Sequence, residues 1–266
     1  EDCDEDGDVT SVATIAAEQM STLDFVARAP GVIAGIPVAA AVFAILGGSS
    51  MSISTVIKDG ESVHAGTVLG SAVGSTRLLL QGERTALNLL SHLSAIATAT
   101  RAWAEALGDS TTKVRDTRKT TPGMRVLEKY AVRCGGGLNH RMNLSDAALI
   151  KDNHVVAAGG VARAYELIKQ RYPDLSVEVE VDSLDQLAEA LEVGADLVLL
   201  DNFTIEELNS AVDFTRGRAK LEASGGFTFD QAKAVASTGV DFVAVGAITH
   251  SAPVLDIGAD LRMESI

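Results

Sequence analysis

Charged and polar side chains follow the apolar strands of the second half of the sequence, at the points where those strands are predicted to end. They are Arg118 with Lys119, Lys151 with Asp152, Glu180, Asp201 with Asn202, Ser224 with Gly225 and Gly226, and Gly246 with Ala247. Because chemistry gathers at the carboxyl ends of parallel strands, we expect these positions to converge on one mouth. For Asp201, Asn202 and Thr204 an ordinary helix N-cap role is the alternative. Lys151 and Glu180 resist that explanation, since each follows an apolar strand where an unpaired charge is costly to bury.

Basic side chains in this region have the chemistry of a carboxylate-binding site. A planar guanidinium can donate two parallel hydrogen bonds to a carboxylate, at roughly 1.5–3 kcal/mol for each charged bond before desolvation is subtracted. Arg118, Arg141 and Lys151 supply such donors from the second half of the sequence. Arg84, at the start of a long helical segment, is a further candidate, and His140 either orients or donates to the ligand or is a structural loop histidine. A dicarboxylate would need several such donors, so we expect these cations to surround one acidic ligand.

Two consecutive glycine turns favour a phosphorylated ligand. "SGG" at Ser224 to Gly226 and "VGA" at Val245 to Ala247 each lie between a predicted strand and a helix, where free backbone N–H groups and the helix dipole can hold a phosphate. The last two βα loops of a barrel often form such a pocket. Glycine also makes ordinary tight turns, so the indication comes from the pair rather than from either turn alone.

A basic window interrupts an otherwise acidic chain. Residues 113–151 hold nine Lys or Arg against three acids, a net charge of +6, while the remainder of the chain carries −20. A local basic cluster in an acidic protein is a candidate site for a small polyanion. A solvated basic helix face is the alternative for Arg125, Lys129 and Arg133, but it does not explain the bases at strand ends.

The composition argues against several classes of protein. A formal net charge of −14 disfavours nonspecific binding to nucleic acid or anionic lipid. Only Cys3 and Cys134 are present, outside any CxxC spacing, which argues against a disulfide framework, a zinc site or an iron–sulfur cluster. The longest apolar run, Val32 to Leu46, is interrupted by Gly35 and Pro37 and is too short to span a bilayer, and the start of the sequence has no signal-peptide pattern. We expect a cytoplasmic protein that binds neither nucleic acid nor membrane.

The first hundred residues predict a separate α+β module. Short alternating runs at 23–27, 51–57 and 67–73 are punctuated by glycine, with one helix at 37–46. The segment Val56 to Gly70 is predicted to pair two strands through a Gly-containing turn as a structural hairpin. A long Ala- and Leu-rich helix is predicted from Glu83 to Leu107, suited to linking two domains. The six acids among residues 1–8 indicate a frayed, solvated start.

After this helix, β-branched runs alternate with helical segments. Strands are predicted at 113–116, 147–151, 176–181, 195–200, 219–223 and 240–245, and helices near 123–133, 160–171, 183–193, 204–216 and 228–238. Repeated β-α units with short turns predict a parallel sheet. Six strands suit an incomplete α/β barrel better than the closed eight-stranded form, and an open doubly wound sheet is the alternative.

Eight motifs, in order along the chain, resemble those of one family. They are "ERTALNLLSHLSAIAT" (83–98), "DTRKTTPG" (116–123), "GGGLNHR" (135–141), "ALIKDNH" (148–154), "VEVEVD" (177–182), "LLDN" (199–202), "EASGG" (222–226) and "VGAITHS" (245–251). Together they are similar to the nicotinate-nucleotide pyrophosphorylase (carboxylating) family, the quinolinate phosphoribosyltransferases of NAD biosynthesis. The likeness covers nearly the whole chain, and DTRKT followed by NHR and IKDNH is its most specific part.

The resemblance implies an α/β protein with two domains that assembles as a homodimer. An N-terminal α+β sandwich with its linking helix would take residues 1–107, with residues 252–266 packing back on it. An incomplete (β/α) barrel of about six parallel strands would take residues 108–251. Active sites would be shared between subunits, with Arg84 reaching into the neighbouring subunit's site. Family members usually begin earlier, with a helix, so the sequence is expected to be clipped at its start.

The same resemblance implies a pentosyltransferase that joins quinolinate to the ribose of phosphoribosyl pyrophosphate (PRPP), releasing CO2, pyrophosphate and nicotinate mononucleotide. Glu180, Asp201, Lys119 and Lys151 would be catalytic, and the two carboxylates would also face Mg²⁺. The substrate-binding positions would be Arg84, Thr117, Arg118, Lys119, His140, Arg141, Lys151, Glu180, Asp201, Ser224, Gly225, Gly226, Val245, Gly246, Ala247 and His250.

Three other functions stay open on the sequence. A related phosphoribosyltransferase-like protein would bind another ligand on the same architecture. A phosphate-binding barrel lyase or isomerase would use Lys151 as a Schiff-base nucleophile. A non-catalytic binding module would be built on the hairpin and the long helix, and would not need Lys151 or Glu180.

Overall fold

The chain forms two compact units. The computed structural model describes Asp2 and residues 7–263. One unit comprises residues 1–99, 133–136 and 252–266, and the other comprises residues 100–132 and 137–251. Most of the acidic run at residues 1–8, Cys3 and residues 264–266 lie outside the described residues.

The first unit is built around an antiparallel sheet. Its strands lie in the order β12-β1-β5-β3, and a two-stranded sheet joins β2 to β4. The strands are β1 (Met20–Ala27), β2 (Gly31–Val32), β3 (Ser52–Thr55), β4 (Ser62–Val63), β5 (Val68–Ser75) and β12 (Ile257–Met263). Three helices accompany them: α1 (Val9–Thr14), α2 (Ile36–Gly47) and α3 (Thr76–Ala106), of which α3 continues into the second unit. The core of this unit joins Leu23 and Phe25 of β1 to Phe43 of α2 and to Leu90 of α3.

The two ends of the segment Val56 to Gly70 pair with each other, as the sequence predicts. The N–H groups of Val56 and Ile57 donate to the carbonyl of Leu69 at 2.9 and 3.1 Å and continue the antiparallel pairing of β3 with β5. The long connection between them carries β4, which pairs with β2. Its turn is held by Asp59, whose carboxylate accepts the N–H groups of Gly35 and Ile36 at 2.8 and 3.1 Å.

The second unit contains the predicted sheet of six parallel strands. They are β6 (Lys113–Arg115), β7 (Ala148–Ile150), β8 (Val177–Val181), β9 (Leu197–Asp201), β10 (Lys220–Ser224) and β11 (Phe242–Ala244). Their order is β6-β11-β10-β9-β8-β7, with parallel pairing throughout. Within the described residues the order ends at β6 and β7 rather than closing, which is the incomplete barrel that the sequence predicts.

Helices alternate with these strands. They are α4 (Arg125–Cys134), α5 (Asp152–Ala158), α6 (Val161–Arg171), α7 (Leu184–Glu192), α8 (Ile205–Thr215), α9 (Ala232–Thr238) and α10 (Ala247–His250). α7 and α8 begin where Ser183 and Thr204 cap them by accepting the N–H groups of Gln186 and Glu207. The predicted helix at 228–238 begins as a 3-10 turn at 229–231. Among the described residues, no helix combines the length and apolar character that crossing a membrane requires.

Period-two alternation places two sets of side chains on opposite faces of each strand. In β8, Val177, Val179 and Val181 are fully buried on one face. Glu178 and Glu180 therefore share the opposite face. The same alternation puts Glu222 on the face of β10 that carries Ser224. β8 and β10 thus each direct two polar side chains to one side of the sheet, one at the strand end and one two residues earlier.

Candidate active site

A cavity of about 400 Å³ lies at the carboxyl ends of the six strands. It brings together nine of the predicted site residues: Thr117, Arg118, Lys119, His140, Arg141, Lys151, Glu180, Asp201 and Ser224. Leu149, Leu199, Glu222 and Ala244 complete the lining. The cations that the sequence assigns to one ligand therefore face one space.

A second cavity, of about 500 Å³, is continuous with the first through shared lining residues. Thr117, Lys119, Asp201 and Ser224 line both. The second cavity also contains the two predicted glycine turns and the last predicted site residue: Gly225, Gly226, Val245, Gly246, Ala247 and His250. Two ligand-sized spaces thus adjoin, one lined by cations and one by glycine turns.

Arg84 is the one predicted site residue that belongs to the other compact unit. It lies on α3, within residues 1–99, and its side chain is exposed. The predicted reach of Arg84 into a neighbouring subunit's site stays a prediction.

The cations of the first cavity carry unmet hydrogen-bonding capacity. The Nε atom of Arg118 is buried and has no acceptor among the described residues. Burial, and then the positive charge of Arg118, lower the pKa of the Arg141 guanidinium. Lys151 is partly paired, since its Nζ lies 2.5 Å from Glu180 Oε2. A buried donor without an acceptor and two guanidinium groups that repel each other favour an anionic ligand.

A buried network ties the two arginine-bearing segments together. The Asp116 carboxylate accepts hydrogen bonds from Lys129 Nζ, from Asn139 Nδ2 at 2.6 Å and from the N–H of His140 at 2.8 Å. Lys129 Nζ also donates to the carbonyl of His140 at 2.9 Å. Since Asp116 directly precedes Thr117, this network fixes the "TRK" segment against the "NHR" segment.

The network corrects the interpretation of Lys129 as part of a solvated helix face. Its side chain is 0% exposed. Burial lowers the pKa of the Lys129 ammonium, and the hydrogen bond to Asp116 opposes that shift. The residue pattern of α4 alone cannot reveal this, because the partner, Asp116, directly follows a different element, β6.

A second cluster of charges lies below the first cavity. His140 Nε2 lies 2.6 Å from Glu178 Oε2, and Arg115 forms an ion pair with Glu222. Burial, and next the charge of Glu178, raise the pKa of Glu222 to about 7, while Arg115 and His140 act in the opposite direction. Donor atoms of His140, Glu178 and Glu222 lie within 4.8 Å of one another, a spacing that a metal ion accepts. The Arg115 guanidinium already lies against these carboxylates, so a second cation there would be repelled.

Sequence reasoning missed Arg115, Glu178 and Glu222. Each belongs to a strand and lies two or three residues before the predicted strand-end residue, which is Arg118, Glu180 or Ser224. The available signal was the period of two, which applies to Glu178 before Glu180 and to Glu222 before Ser224. The sequence analysis also missed His154. Its Nδ1 accepts the N–H of Lys151 at 3.0 Å and so fixes the backbone at Lys151.

The glycine turns present free backbone donors. Among the hydrogen bonds of the described residues, the N–H groups of Gly225, Gly226, Gly246 and Ala247 have no acceptor. Gly225 has a φ of 115° and approaches Asn202 so closely that a Cβ atom would lie 2.6 Å from its backbone. Asn202, itself at φ 59°, donates its N–H to the carbonyl of Ser224 at 3.0 Å. Asp201 and Asn202 are therefore not caps of α8, a role that belongs to Thr204.

Two carboxylates could hold a divalent cation at the mouth. Glu180 and Asp201 both line the first cavity, on neighbouring strands. Mg²⁺ is typically bound through one or two carboxylates together with substrate phosphate oxygens. The donor set fits such an ion, since both groups are hard oxygen ligands and Asp201 also lines the cavity with the glycine turns.

Two family models match this chain over almost its whole length. The model of the quinolinate phosphoribosyl transferase N-terminal domain matches residues 8–94. The model of the quinolinate phosphoribosyl transferase C-terminal domain matches residues 96–260.

Individual relatives give the same result. The nicotinate-nucleotide pyrophosphorylase (carboxylating) of Mycobacterium leprae (strain TN) is 47% identical over 258 residues, which cover 96% of this chain and 91% of that protein. The probable nicotinate-nucleotide pyrophosphorylase (carboxylating) of Bacillus subtilis (strain 168) is 41% identical, with coverages of 97% and 89%. The crystal structure of NadC from Streptococcus pyogenes superposes with a TM-score of 0.93 at 40% identity, covering 97% of this chain and 92% of that chain.

Proposed function

Because the chain belongs to the quinolinate phosphoribosyltransferase family, we propose that it transfers the phosphoribosyl group of PRPP to quinolinate. The products are nicotinate mononucleotide, CO2 and pyrophosphate, and the reaction belongs to NAD biosynthesis. The observation that carries this proposal is the convergence of Arg118, Arg141 and Lys151 on one cavity that adjoins two glycine turns. A dicarboxylate fits the cations, and a sugar phosphate fits the turns.

The quinolinate carboxylates bind to Arg118, Arg141 and Lys151. The buried Nε of Arg118 gains the acceptor that it lacks in the free protein. The 5′-phosphate of PRPP accepts the free N–H groups of the two glycine turns, and Lys119, which lines both cavities, meets the pyrophosphate oxygens. Thr117, Ser224 and His250 complete the lining around the phosphates.

Glu180 and Asp201 act on the ribose. As the bond from ribose C1 to pyrophosphate lengthens, positive charge develops on the sugar ring, and two fixed carboxylates stabilise it. The same two residues would hold Mg²⁺, which when bound neutralises charge on the departing pyrophosphate. Lys119 contributes to the same neutralisation through its ammonium group.

Bond formation and decarboxylation follow in order. The pyridine nitrogen attacks ribose C1 on the face opposite to the leaving group, which gives a positively charged ring. The 2-carboxylate then leaves as CO2, its electron pair stays on C2 of the ring, and C2 takes up a proton. The positive charge on the ring nitrogen favours this step, because it stabilises the electron pair left on C2.

A binding experiment tests the assignment. Calorimetry with quinolinate and with nicotinate should show tighter binding of quinolinate, because nicotinate lacks the 2-carboxylate and leaves part of the cation set unused. Arg141→Ala should remove most of that difference. Arg163→Ala, on the exposed face of α6, is the matched control and should leave it intact. Equal affinity for the two acids, in a protein that forms no nicotinate mononucleotide, would overturn the proposal.

We also propose that the active protein is a homodimer with shared sites. The support is the exposed position of Arg84 on α3 and the assignment that the family resemblance gives it. Mixing inactive Arg84→Ala and Lys151→Ala proteins should regenerate part of the activity, since exchanged subunits restore one intact site. No recovery after demonstrated subunit exchange would place Arg84 in its own subunit's site or in none.

The Schiff-base alternative loses support at Lys151. The Nζ atom is ion-paired with the Glu180 carboxylate, so it is not free to attack a carbonyl. A cytoplasmic location remains part of our proposal, supported by the high charge of PRPP, which does not cross an apolar bilayer unaided.

A further inference from the structure

The cluster of Arg115, His140, Glu178 and Glu222 places two buried carboxyl groups next to each other. The Glu178 and Glu222 side chains are 4% and 0% exposed, so solvent screens neither carboxylate. Arg115 ion-pairs with Glu222 and lies 4.0 Å from Glu178. One guanidinium therefore faces two carboxyl groups in a buried space.

His140 connects the cluster to the segment that carries Arg141. Its Nδ1 lies 2.7 Å from the backbone nitrogen of Arg141, and its Nε2 lies 2.6 Å from Glu178 Oε2. The distance from His140 Nε2 to Glu222 Oε1 is 3.8 Å, which is too long for a hydrogen bond. Within the cluster, the side chain that hydrogen-bonds to Glu222 is therefore Arg115.

In the part of the chain that the structure describes, each of the two carboxyl groups has one oxygen atom without a hydrogen-bond donor. Glu178 Oε1 and Glu222 Oε1 are both buried and have no hydrogen-bond donor among the described residues. Two adjacent carboxyl groups with one unsatisfied oxygen each are served by one added proton, because a protonated carboxyl becomes a donor.

The immediate surroundings of Glu222 set its charge. Arg115 faces it from β6, Glu178 from β8 and His140 from the segment before β7. Its register neighbours on β9 and β11 are Leu199 and Phe242, which are apolar and bring no charge that could replace the proton. Burial and the charge of Glu178 raise the pKa of Glu222 into the neutral range, which agrees with the geometry.

We propose that Glu222 takes up a proton when the pyridine dicarboxylate binds, so that substrate binding is coupled to protonation of a residue below the cavity. This inference rests on the proposed function and deepens it. Glu222 lines the cavity that holds Arg118 and Arg141, and a dianion placed there repels an ionised carboxylate. Protonation removes the repulsion and leaves Arg115 free to add to the positive field. Glu222 thus makes the affinity for a doubly charged ligand depend on pH.

The coupling has a defined sign. A bound dianion stabilises the protonated form of Glu222 relative to the free protein, so binding takes up a proton wherever the free residue is ionised. Affinity for quinolinate should therefore fall as pH rises from about 6.5 to about 8.5, by about sixfold if binding raises the pKa of Glu222 by about one unit. Both carboxyl groups of quinolinate itself stay ionised over this range.

The test is calorimetry of quinolinate binding to the full chain without PRPP. At a pH of about 7.5 the apparent enthalpy should differ between Hepes and Tris buffers, whose ionisation enthalpies differ, in the sense of proton uptake by the complex. This measurement needs no variant. Equal enthalpies, corrected for dilution, would overturn the inference even if Glu222 variants failed to fold.

The Glu222→Gln variant tests whether Glu222 is the group that takes up the proton. The amide fills the same volume and does not titrate, so both the buffer difference and the pH dependence of the dissociation constant should disappear. Glu192→Gln, on the exposed part of α7, is the matched control and should behave as wild type. A Glu222→Gln protein that keeps the wild-type pH dependence would contradict the assignment. Absence of any quinolinate binding by the wild type would instead refute the proposed function.

Discussion

At the scale of single residues, the side chains that bind substrate depend on buried charges that do not. Asp116 and Lys129 form an ion pair that is 0% exposed on both sides. Its hydrogen bonds reach the backbone of His140, and Asp116 precedes the segment that carries Arg118. Removing either partner leaves an uncompensated buried charge, which is strongly destabilising. We therefore assign Asp116 and Lys129 to positioning of the arginines rather than to chemistry.

Glu180 is the residue whose replacement should most directly affect the reaction. Glu180→Gln removes one fixed negative charge from the developing positive charge on ribose, so kcat should fall by roughly 10²–10³. The KM for quinolinate should change less, because the arginines are untouched. Steady-state kinetics measure both quantities.

Glu189→Gln, on α7 away from the cavity, is the control for this substitution. If the Glu180→Gln enzyme kept kcat within a few-fold of wild type, the assignment of this carboxylate to transition-state stabilisation would be wrong.

The sequence predicted the cavity residues at the strand ends but not those inside the strands. Arg118, Lys119, Lys151, Glu180 and Asp201 stand at strand ends, where a change from apolar to charged residues is visible in one dimension. Arg115, Glu178 and Glu222 lie inside strands, where their partners come from other strands. Such pairing depends on strand order and register, which the sequence pattern alone does not fix.

At the scale of elements, the turn after β10 is shaped by one glycine. Gly225 combines a φ of 115° with a position against the backbone of Asn202 that leaves no room for a Cβ atom. Gly225→Ala should lower the free energy of unfolding by roughly 1–3 kcal/mol and weaken PRPP binding, because the strained turn moves its N–H groups. Urea unfolding and the KM for PRPP measure the two effects.

Gly217→Ala provides the comparison for this variant. Gly217 has a φ of 72° but open space around its Cβ position, so it reports the cost of the backbone conformation alone. Equal losses of stability in the two variants would show that the contact with Asn202 is unimportant. A Gly225→Ala protein with wild-type PRPP binding would remove the turn from the phosphate site.

Most elements of the second unit were predictable because each is apolar and bounded by turn residues. All six predicted strands overlap the observed ones, and the fold class is confirmed. α5 was missed, since its seven residues are too few for a helical period to appear. The long helix was predicted to begin at Glu83, whereas α3 begins at Thr76. The first turns were missed because Gly82 interrupts the helical pattern, although glycine is tolerated within a helix.

At the scale of the whole molecule, the buried proton of Glu222 should appear in the pH dependence of stability. Its pKa rises from an ordinary value of 4.5 to about 7 on folding. The folded state then holds more protons than the unfolded state between these values, so the free energy of unfolding falls as pH rises from about 4.5 to about 7. A shift of this size corresponds to about 3 kcal/mol.

Glu222→Gln isolates this contribution from those of other carboxylates. The variant and the wild type should have similar stability near pH 4.5, where Glu222 is protonated in the folded state, and the variant should be the more stable above pH 7. Chemical denaturation at both pH values measures the difference. A difference that does not change with pH would mean that Glu222 is ionised throughout.

The pairing of β1 with β12 has a consequence for biosynthesis. β1 is central to its sheet, with β5 on one side and β12 on the other, and almost the whole chain separates β1 from β12. During translation the parallel strands leave the ribosome before β12 does, so β1 keeps one unpaired edge until synthesis is nearly complete. An open strand edge attracts other chains. A stalled or prematurely terminated nascent chain that lacks β12 should therefore be a chaperone client, even when every residue of its catalytic cavity has already been made.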